Sequence, residues 1–164
     1  MRRHDEAING DPHWFRCWSH SDGRRRPSAQ QTRDFEAELH QFSPPAGICV
    51  DGVCDFESHG DGFTNLMGPV TVDVEFTWDF TTTPCSTRDP LVFTLVGATG
   101  SVAVSGSGVV CDGLSPSGFP KFFSGTGQVT GGAGEFSGIS GSVSAQGILA
   151  RRGPILHMSG SVAY

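Results

Sequence analysis

The chain has 164 residues, a length typical of one domain, and its 23 glycines with 17% charged residues favour a turn-rich β protein over a helical one. The sequence contains no run of about 18 apolar residues, which excludes a transmembrane helix. The net charge of -6 lies entirely after residue 46, where ten acidic residues outnumber four basic ones, so a nucleic-acid-binding surface is disfavoured.

Residues 1 to 46 show no sustained period of apolar side chains and are predicted to form a polar, disordered leader. The histidines around Cys17 match no standard metal-site spacing. The segment from Thr32 to Gln41 is compatible with a short helix, because a threonine can cap its start and two prolines would end it.

From residue 47 the chain reads as a succession of strands, which begins with a tight hairpin from Cys49 to Cys54. Asp51 and Gly52 suit a two-residue turn. This turn places the two cysteines opposite each other at a pair of positions where side chains lie close together. A disulfide between Cys49 and Cys54 is therefore predicted.

The segment from Val70 to Phe80 is the clearest strand of the chain, because apolar and polar side chains alternate along it. Its apolar side consists of Val70, Val72, Val74, Phe76, Trp78 and Phe80, and its polar side of Thr71, Asp73, Glu75, Thr77 and Asp79. The alternation predicts that one side of this strand is buried.

A second hairpin is predicted across the turn 97–100. Pairing Leu95 with Ser101 places Cys85 opposite Cys111 at the base of the hairpin, which predicts a second disulfide; a register shifted by one residue is the alternative. Two disulfides suggest an extracellular, oxidising compartment. In contrast, the N-terminus lacks the apolar segment of a secretory signal.

The later strands repeat the pattern apolar-Ser-Gly-Ser/Thr, but at irregular intervals that argue against a β-solenoid. Seven or eight strands joined by short turns favour a closed barrel, which removes exposed strand edges. We therefore predict an all-β fold: a closed antiparallel up-and-down barrel of about eight strands over residues 47–164, preceded by the leader 1–46.

Three segments, 97–106, 129–138 and 140–143, resemble the second half of the allene oxide cyclase and dirigent barrel superfamily. The similarity covers residues 63–164 and is most specific where the chain has the pattern Thr-Gly-Gly-x-Gly-x-Phe-x-Gly. The resemblance implies an eight-stranded barrel, a homotrimer and an internal apolar cavity that works without metal or organic cofactor. In plant members this cavity steers cyclisation of an unsaturated fatty-acid epoxide or coupling of phenoxy radicals.

Five titratable side chains are the catalytic candidates: Glu57, Asp73, Glu75, Asp79 and His157. Glu57 stands about where the resemblance places an early Glu of allene oxide cyclases, although the alternation puts Phe56 on the apolar side. Inside a low-dielectric barrel interior, at least one of the three clustered carboxylates of the strand 70–80 would have a raised pKa and act as a general acid or base. The alternative interpretation is an ordinary solvated sheet face.

Eight apolar side chains are the candidates for lining the barrel interior, or lumen. They are Phe76, Trp78, Phe80, Val102, Val104, Leu156, Met158 and Tyr164. Glycines opposite these large side chains would leave space for a small hydrophobic ligand, whereas the alternative is a well-filled core.

Two functional hypotheses follow from the sequence. The first is a cofactor-independent isomerase or cyclase that binds a small hydrophobic substrate in the lumen, and the second is a secreted binding or structural module braced by two disulfides. Neither involves nucleic acid, a membrane span or a required metal. An EF-hand loop starting at Asp55 is excluded because its twelfth position is Leu66, while a looser calcium site near Asp51, Asp55 and Asp61 stays open.

Overall fold

The computed structural model describes residues 30–40, 42–43, 46–82, 84–113, 120–150 and 153–164. Nine strands lie in these ranges: β1 (Thr32–His40), β2 (Ala46–Val50), β3 (Val53–Thr64), β4 (Gly68–Asp79), β5 (Cys85–Val96), β6 (Gly100–Cys111), β7 (Lys121–Gly134), β8 (Ser140–Ala150) and β9 (Gly153–Ala163). Within the described ranges there is no helix of the length and apolar character needed to cross a membrane.

Eight of these strands close into an antiparallel barrel in the order β1-β9-β8-β7-β6-β5-β4-β3, and the pairing of β1 with β3 completes the ring. The remaining strand, β2, lies outside the ring and pairs with the first part of β3. The closed eight-stranded antiparallel barrel predicted from the sequence is therefore confirmed. Closure leaves the ring itself without a free edge.

Strand β1 corrects the predicted domain boundary. The segment that is compatible with a helix, Thr32 to Gln41, contains a strand of the ring, with Phe35, Ala37 and Leu39 buried and the side chains between them exposed. The barrel therefore includes residues from Thr32 onward rather than from residue 47. The rest of the predicted leader, residues 1–29 with the histidines and Cys17, lies outside the described residues.

The hairpin of β2 and β3 has the predicted register. Cys49 faces Cys54, and the turn residues Asp51 and Gly52 have φ angles of 51° and 85°. Positive φ at both central residues is typical of the two-residue turn that fits the twist of a hairpin. A disulfide joins Cys49 and Cys54 with a Cα–Cα distance of 4.0 Å, which confirms the first predicted bridge.

A one-residue bulge interrupts β5 between Arg88 and Leu91. On β4, Trp78 faces Arg88 and Phe76 faces Leu91, so one residue of β4 lies opposite two residues of β5. Strand β6 shows the same mismatch on the other side. A bulge of this kind changes which face of the sheet the following side chains occupy. Arg88 and Leu91 are consequently both buried, while the two residues between them are exposed.

The second predicted disulfide is also confirmed, although the hairpin of β5 and β6 has another register near its turn. Leu95 faces Val102 rather than Ser101. The bulge then shifts the pairing by one residue, so that Cys85 faces Cys111 at the base, with a Cα–Cα distance of 4.0 Å. The two deviations cancel at the cysteines.

Half of the barrel interior is solidly packed. The largest fully buried side chains of the described residues are Phe35, Leu39, Leu95, Met158, Val72, Val102, Val110, Val162 and Thr64, and of these Val110 lies at the cavity end, opposite Phe123. At one end Phe136 is buried and its ring lies 5.3 Å from that of Tyr164. Gly134 and Gly138, with φ of 65° and 81°, allow the β7–β8 turn that carries Phe136. Five predicted lumen residues belong to the buried core cluster: Phe76, Val102, Val104, Leu156 and Met158.

Candidate ligand-binding cavity

An apolar cavity of about 240 Å³ lies in the other half of the barrel, where β4 and β8 end and β5 and β7 begin. Its lining consists of Phe42, Ser58, Val74, Phe76, Trp78, Arg88, Leu91, Phe93, Lys121, Phe123, Leu149 and Leu156. Five of these side chains are aromatic, and three are polar or charged. Ligand sites for drug-sized molecules usually measure roughly 300–1,000 Å³, so this cavity suits a compact ligand.

Aromatic rings of β3 and β4 pack against one another, and two of them, Phe76 and Trp78, line the cavity. The rings of Phe56 and Phe76 are 5.4 Å apart, and Trp78 follows Phe76 at 6.4 Å. Phe80 stacks on Trp78 at 4.3 Å, but it is 45% exposed and does not line the cavity. The prediction that Phe80 lies in the lumen is therefore wrong, because β4 ends at Asp79 and the alternation stops there.

Two glycines that face each other on β6 and β7 leave space for the ring of Phe123 in the cavity wall. Gly108 of β6 pairs with Gly125 of β7. A Cβ atom on Gly108 would lie 2.5 Å from the ring of Phe123, and one on Gly125 would lie 2.9 Å from the same ring. The ring of the cavity-lining Phe123 therefore occupies the space that these glycines leave free.

Arg88 is a buried cation in the cavity wall. Its side chain is 8% exposed, and its Cζ atom lies 4.4 Å from the ring centre of Phe76 and 3.8 Å from that of Trp78. These rings offer the guanidinium their electron-rich faces. Burial lowers the pKa of Arg88 to about 10, so the group keeps its positive charge at neutral pH.

Two N–H donors in the cavity wall have no acceptor among the described residues. They are Arg88 Nε and Trp78 Nε1, both of which are buried. Both groups donate hydrogen bonds and cannot accept them. Most buried polar groups in proteins have a partner, and an unpaired one destabilises the fold. The described residues of the cavity wall therefore offer no acceptor to these two donors.

The segment after β1 forms a further side of the cavity. Ser43 N–H donates to the carbonyl of His59 at 2.7 Å, His59 N–H donates to Ser43 Oγ at 3.1 Å, and Ser58 Oγ donates to the Ser43 carbonyl at 2.8 Å. These three bonds hold the segment against β3, and Phe42 lines the cavity beside them. Sequence reasoning missed Phe42 because it was assigned to the leader.

Both disulfides lie at the cavity end of the barrel. The Cys85–Cys111 bridge joins β5 and β6 three residues before Arg88. In the other bridge, Cys54 is buried and faces Trp78 across β3 and β4. The first bridge therefore fixes the strand that carries Arg88, and the second fixes β3, the neighbour of the strand that carries Trp78.

The structure places four of the catalytic candidates on the outer face of the barrel. Glu57, Asp73, Glu75 and His157 are exposed, and none of them lines the cavity. Glu57 and Glu75 face each other across β3 and β4, while Asp73 Oδ1 lies 2.6 Å from Nδ1 of His59. The expectation that they act inside the lumen is corrected by this placement, since the apolar side chains of the same strands occupy the interior. A catalytic role elsewhere stays a prediction.

The fifth candidate, Asp79, ends β4 and belongs to a turn. Thr81 donates to Asp79 Oδ1 through its backbone N–H at 2.8 Å and through its hydroxyl at 2.6 Å. These hydrogen bonds lower the pKa of Asp79. The direction is opposite to the raised pKa expected of a carboxyl group inside the lumen, so the turn is the role that the structure gives to Asp79.

The described residues do not support the calcium site that was suggested near Asp51, Asp55 and Asp61. Asp55 accepts a hydrogen bond from the hydroxyl of Thr77 at 2.6 Å on the outer face of β3 and β4. The described part of the chain contains no group of three or more His, Cys, Asp or Glu side chains that could hold a metal ion.

Sequence reasoning found only part of the cavity lining. Of the predicted lumen residues, Phe76, Trp78 and Leu156 line it, whereas Tyr164 lies at the opposite end beside Phe136. Arg88 was not predicted to line the cavity, because regular strand alternation from Leu91 would place its side chain on the outside of the barrel. A proline inside a strand pattern is a known sign of a bulge, and Pro90 was the signal available for it.

No protein-family model matches the chain, and neither a curated protein nor a solved structure matches it. The resemblance to the allene oxide cyclase and dirigent superfamily, and the homotrimer that it implies, therefore stay predictions.

Proposed function

We propose that this chain binds a small apolar molecule in the cavity at one end of its barrel. The observation that carries the proposal is a space of about 240 Å³ whose lining is dominated by aliphatic and aromatic side chains. Burial of apolar ligand surface there would contribute roughly 25 cal/mol per Å². A few polar groups among apolar ones are also the usual composition of a small-molecule site.

A purely structural barrel explains the cavity less well. The half of the interior around Leu95, Val102 and Val162 shows that this chain packs side chains closely where it can. Apolar space that side chains leave unfilled destabilises a protein. Retaining such space beside a buried cation is therefore better explained by a ligand than by the needs of the fold.

An isomerase or cyclase would use the same cavity to hold its substrate in a reactive conformation. None of the described residues that line the cavity is a carboxylate. Arg88, a cation, could stabilise negative charge that develops on a substrate in the cavity. Binding without chemistry requires no such group, and it is the function that we propose; the two disulfides favour an oxidising compartment for it.

Isothermal titration calorimetry with the neutral probe 1-naphthylmethanol tests the proposal. Leu149 lines the cavity, and the next residue along β8, Ile148, is 46% exposed on the outside. We expect Leu149→Trp to fill the cavity and weaken binding about tenfold or more, and the matched control Ile148→Trp to leave it unchanged. Absence of binding by the wild type, or equal losses in both variants, would overturn the proposal.

A further inference from the structure

We propose that the ligand of this cavity is a compact molecule with one carboxylate, which Arg88 and the indole N–H of Trp78 bind inside the barrel. The inference rests on the proposed function, because it names the chemical class of the molecule that occupies the same cavity. It goes further in assigning a polar recognition site to an interior that is otherwise apolar.

The first support is the chemistry of the two unpaired donors. Arg88 is more than nine-tenths buried, and its Nε, like Nε1 of Trp78, has no acceptor among the described residues. The guanidinium lies over the Trp78 ring at 3.8 Å, so both donors belong to one region of the wall. A guanidinium binds a carboxylate through two parallel N–H bonds, which is the strongest recognition that its shape allows.

The second support is the missing counter-charge. The ion pairs among the described residues are His59 with Asp73 and Lys121 with Asp112, and neither includes Arg88. A buried cation without an anion is costly, since removal from water is not repaid. A bound carboxylate would supply both the charge and the acceptor atoms that the described residues of the wall do not provide.

The third support is the orientation that the bulge gives to the two neighbouring charged side chains of β5, Arg88 and Asp89. Arg88 faces the interior and its neighbour Asp89 faces solvent. If the same residues continued in regular alternation from Leu91 with no bulge, Asp89 would lie inside and Arg88 outside. The bulge therefore brings a cation into the cavity and keeps the adjacent carboxylate out of it.

The polar groups of the lining and the volume of the cavity limit the class of ligand that can bind. Ser58, the remaining uncharged polar group of the lining, already donates its hydroxyl to the Ser43 carbonyl. Arg88 carries one positive charge, which a monoanionic carboxylate balances and a dianionic phosphate exceeds. A volume of about 240 Å³ also favours a compact aromatic or branched acid over a long-chain one.

The test compares two probes of matching shape on the full-length, disulfide-intact chain: 1-naphthoate, which carries the carboxylate, and 1-naphthylmethanol, which does not. We expect calorimetry to give an affinity for 1-naphthoate at least about tenfold higher. Arg88→Gln should remove this preference, because it should weaken 1-naphthoate binding at least about tenfold more than 1-naphthylmethanol binding. Arg33→Gln is the matched control, because Arg33 is exposed and lies over Tyr164 at the other end of the barrel.

A second variant keeps the test independent of the folding of Arg88→Gln. Trp78→Phe keeps an aromatic ring beside the guanidinium and removes the N–H together with part of the indole ring, so it should weaken 1-naphthoate binding about fivefold more than 1-naphthylmethanol binding. Equal wild-type affinity for the two probes, or equal losses for both probes in Arg88→Gln, would overturn the carboxylate assignment while leaving the proposed function intact. Failure of both probes to bind the wild type would overturn both.

Discussion

Arg88 and Leu91 point into the same cavity although three positions separate them along one strand, because two residues of β5 lie opposite one residue on each neighbouring strand. The pairs on either side of the bulge, Arg88 with Gly108 and Leu91 with Gly106, are themselves in regular antiparallel positions. The bulge therefore absorbs one surplus residue without disturbing either end of the strand.

Deletion of Pro90 should consequently be tolerated. A single residue would then lie opposite Ser107, Arg88 would still face Gly108, and Cys85 would still pair with Cys111. We expect the bridge to be retained in non-reduced peptide mapping, and 1-naphthoate affinity to stay within about threefold of wild type, since neither site moves.

The matched control is deletion of Thr94 from the regular part of β5. This change shifts the preceding residues by one position and turns Phe93 and Leu91 outward, so cavity and core are both lost. Loss of the Cys85–Cys111 bridge on deletion of Pro90, or an unchanged thermal midpoint on deletion of Thr94, would contradict this description of the strand.

Arg88 should reduce the stability of the unliganded protein at neutral pH. Its pKa in the folded chain is about 10, below the ordinary value for arginine, so the fold disfavours the charged form. A shift of this size corresponds to about 3 kcal/mol. Contacts with the rings of Phe76 and Trp78 offset about 1 kcal/mol or more. We expect Arg88→Met to raise the free energy of unfolding by about 1–2 kcal/mol at pH 7.5.

The sign of the pH effect follows from the same shift. Between pH 10 and the ordinary arginine pKa, the unfolded chain binds more protons than the folded one, so the stability of the wild type rises with pH. The advantage of Arg88→Met should therefore shrink between pH 7.5 and pH 10.5 in urea denaturation without reductant. Lys121, the other basic group of the cavity, is present in both proteins and does not enter the difference. A difference that grows with pH would contradict the assignment.

Gly108 should be required for the shape of the cavity. An added Cβ atom would lie 2.5 Å from the Phe123 ring and 2.9 Å from the Ser124 carbonyl oxygen, so Gly108→Ala must displace both groups or shift its own strand. We expect a loss of about 1–3 kcal/mol in urea denaturation. Gly131→Ala is the control, since no atom lies within 4 Å of its Cβ position, and it should change stability by less than about 0.5 kcal/mol. Equal effects of the two substitutions would argue against the close contact.

The parts of the fold that could be predicted from the sequence are those in which local chemistry determines geometry. Asp51 and Gly52 determine the turn of the first hairpin, and the alternation in β4 identifies its buried side without any knowledge of the neighbours. The Cys85–Cys111 pairing was predicted correctly only because a one-residue error at the turn and an unrecognised bulge cancel.

The parts that were missed depend on tertiary context. Strand β1 alternates over Phe35, Ala37 and Leu39, but a threonine before it and prolines after it matched the ends of a helix equally well. The orientation of Arg88 depends on where a surplus residue is absorbed, which strand periodicity alone does not reveal. Phe42 reaches the cavity only through hydrogen bonds between segments that are distant in the sequence.

The packing of Phe136 against Tyr164 closes the end of the barrel opposite the cavity, so the interior has the form of a cup rather than a tube. A molecule held in a cup leaves by the route through which it arrived. A second molecule could enter only after the first has left by the same opening. The rate of exchange of the proposed ligand would therefore be limited by its dissociation rate. A barrel of this shape can bind a ligand and release it, but it cannot serve as a channel for it.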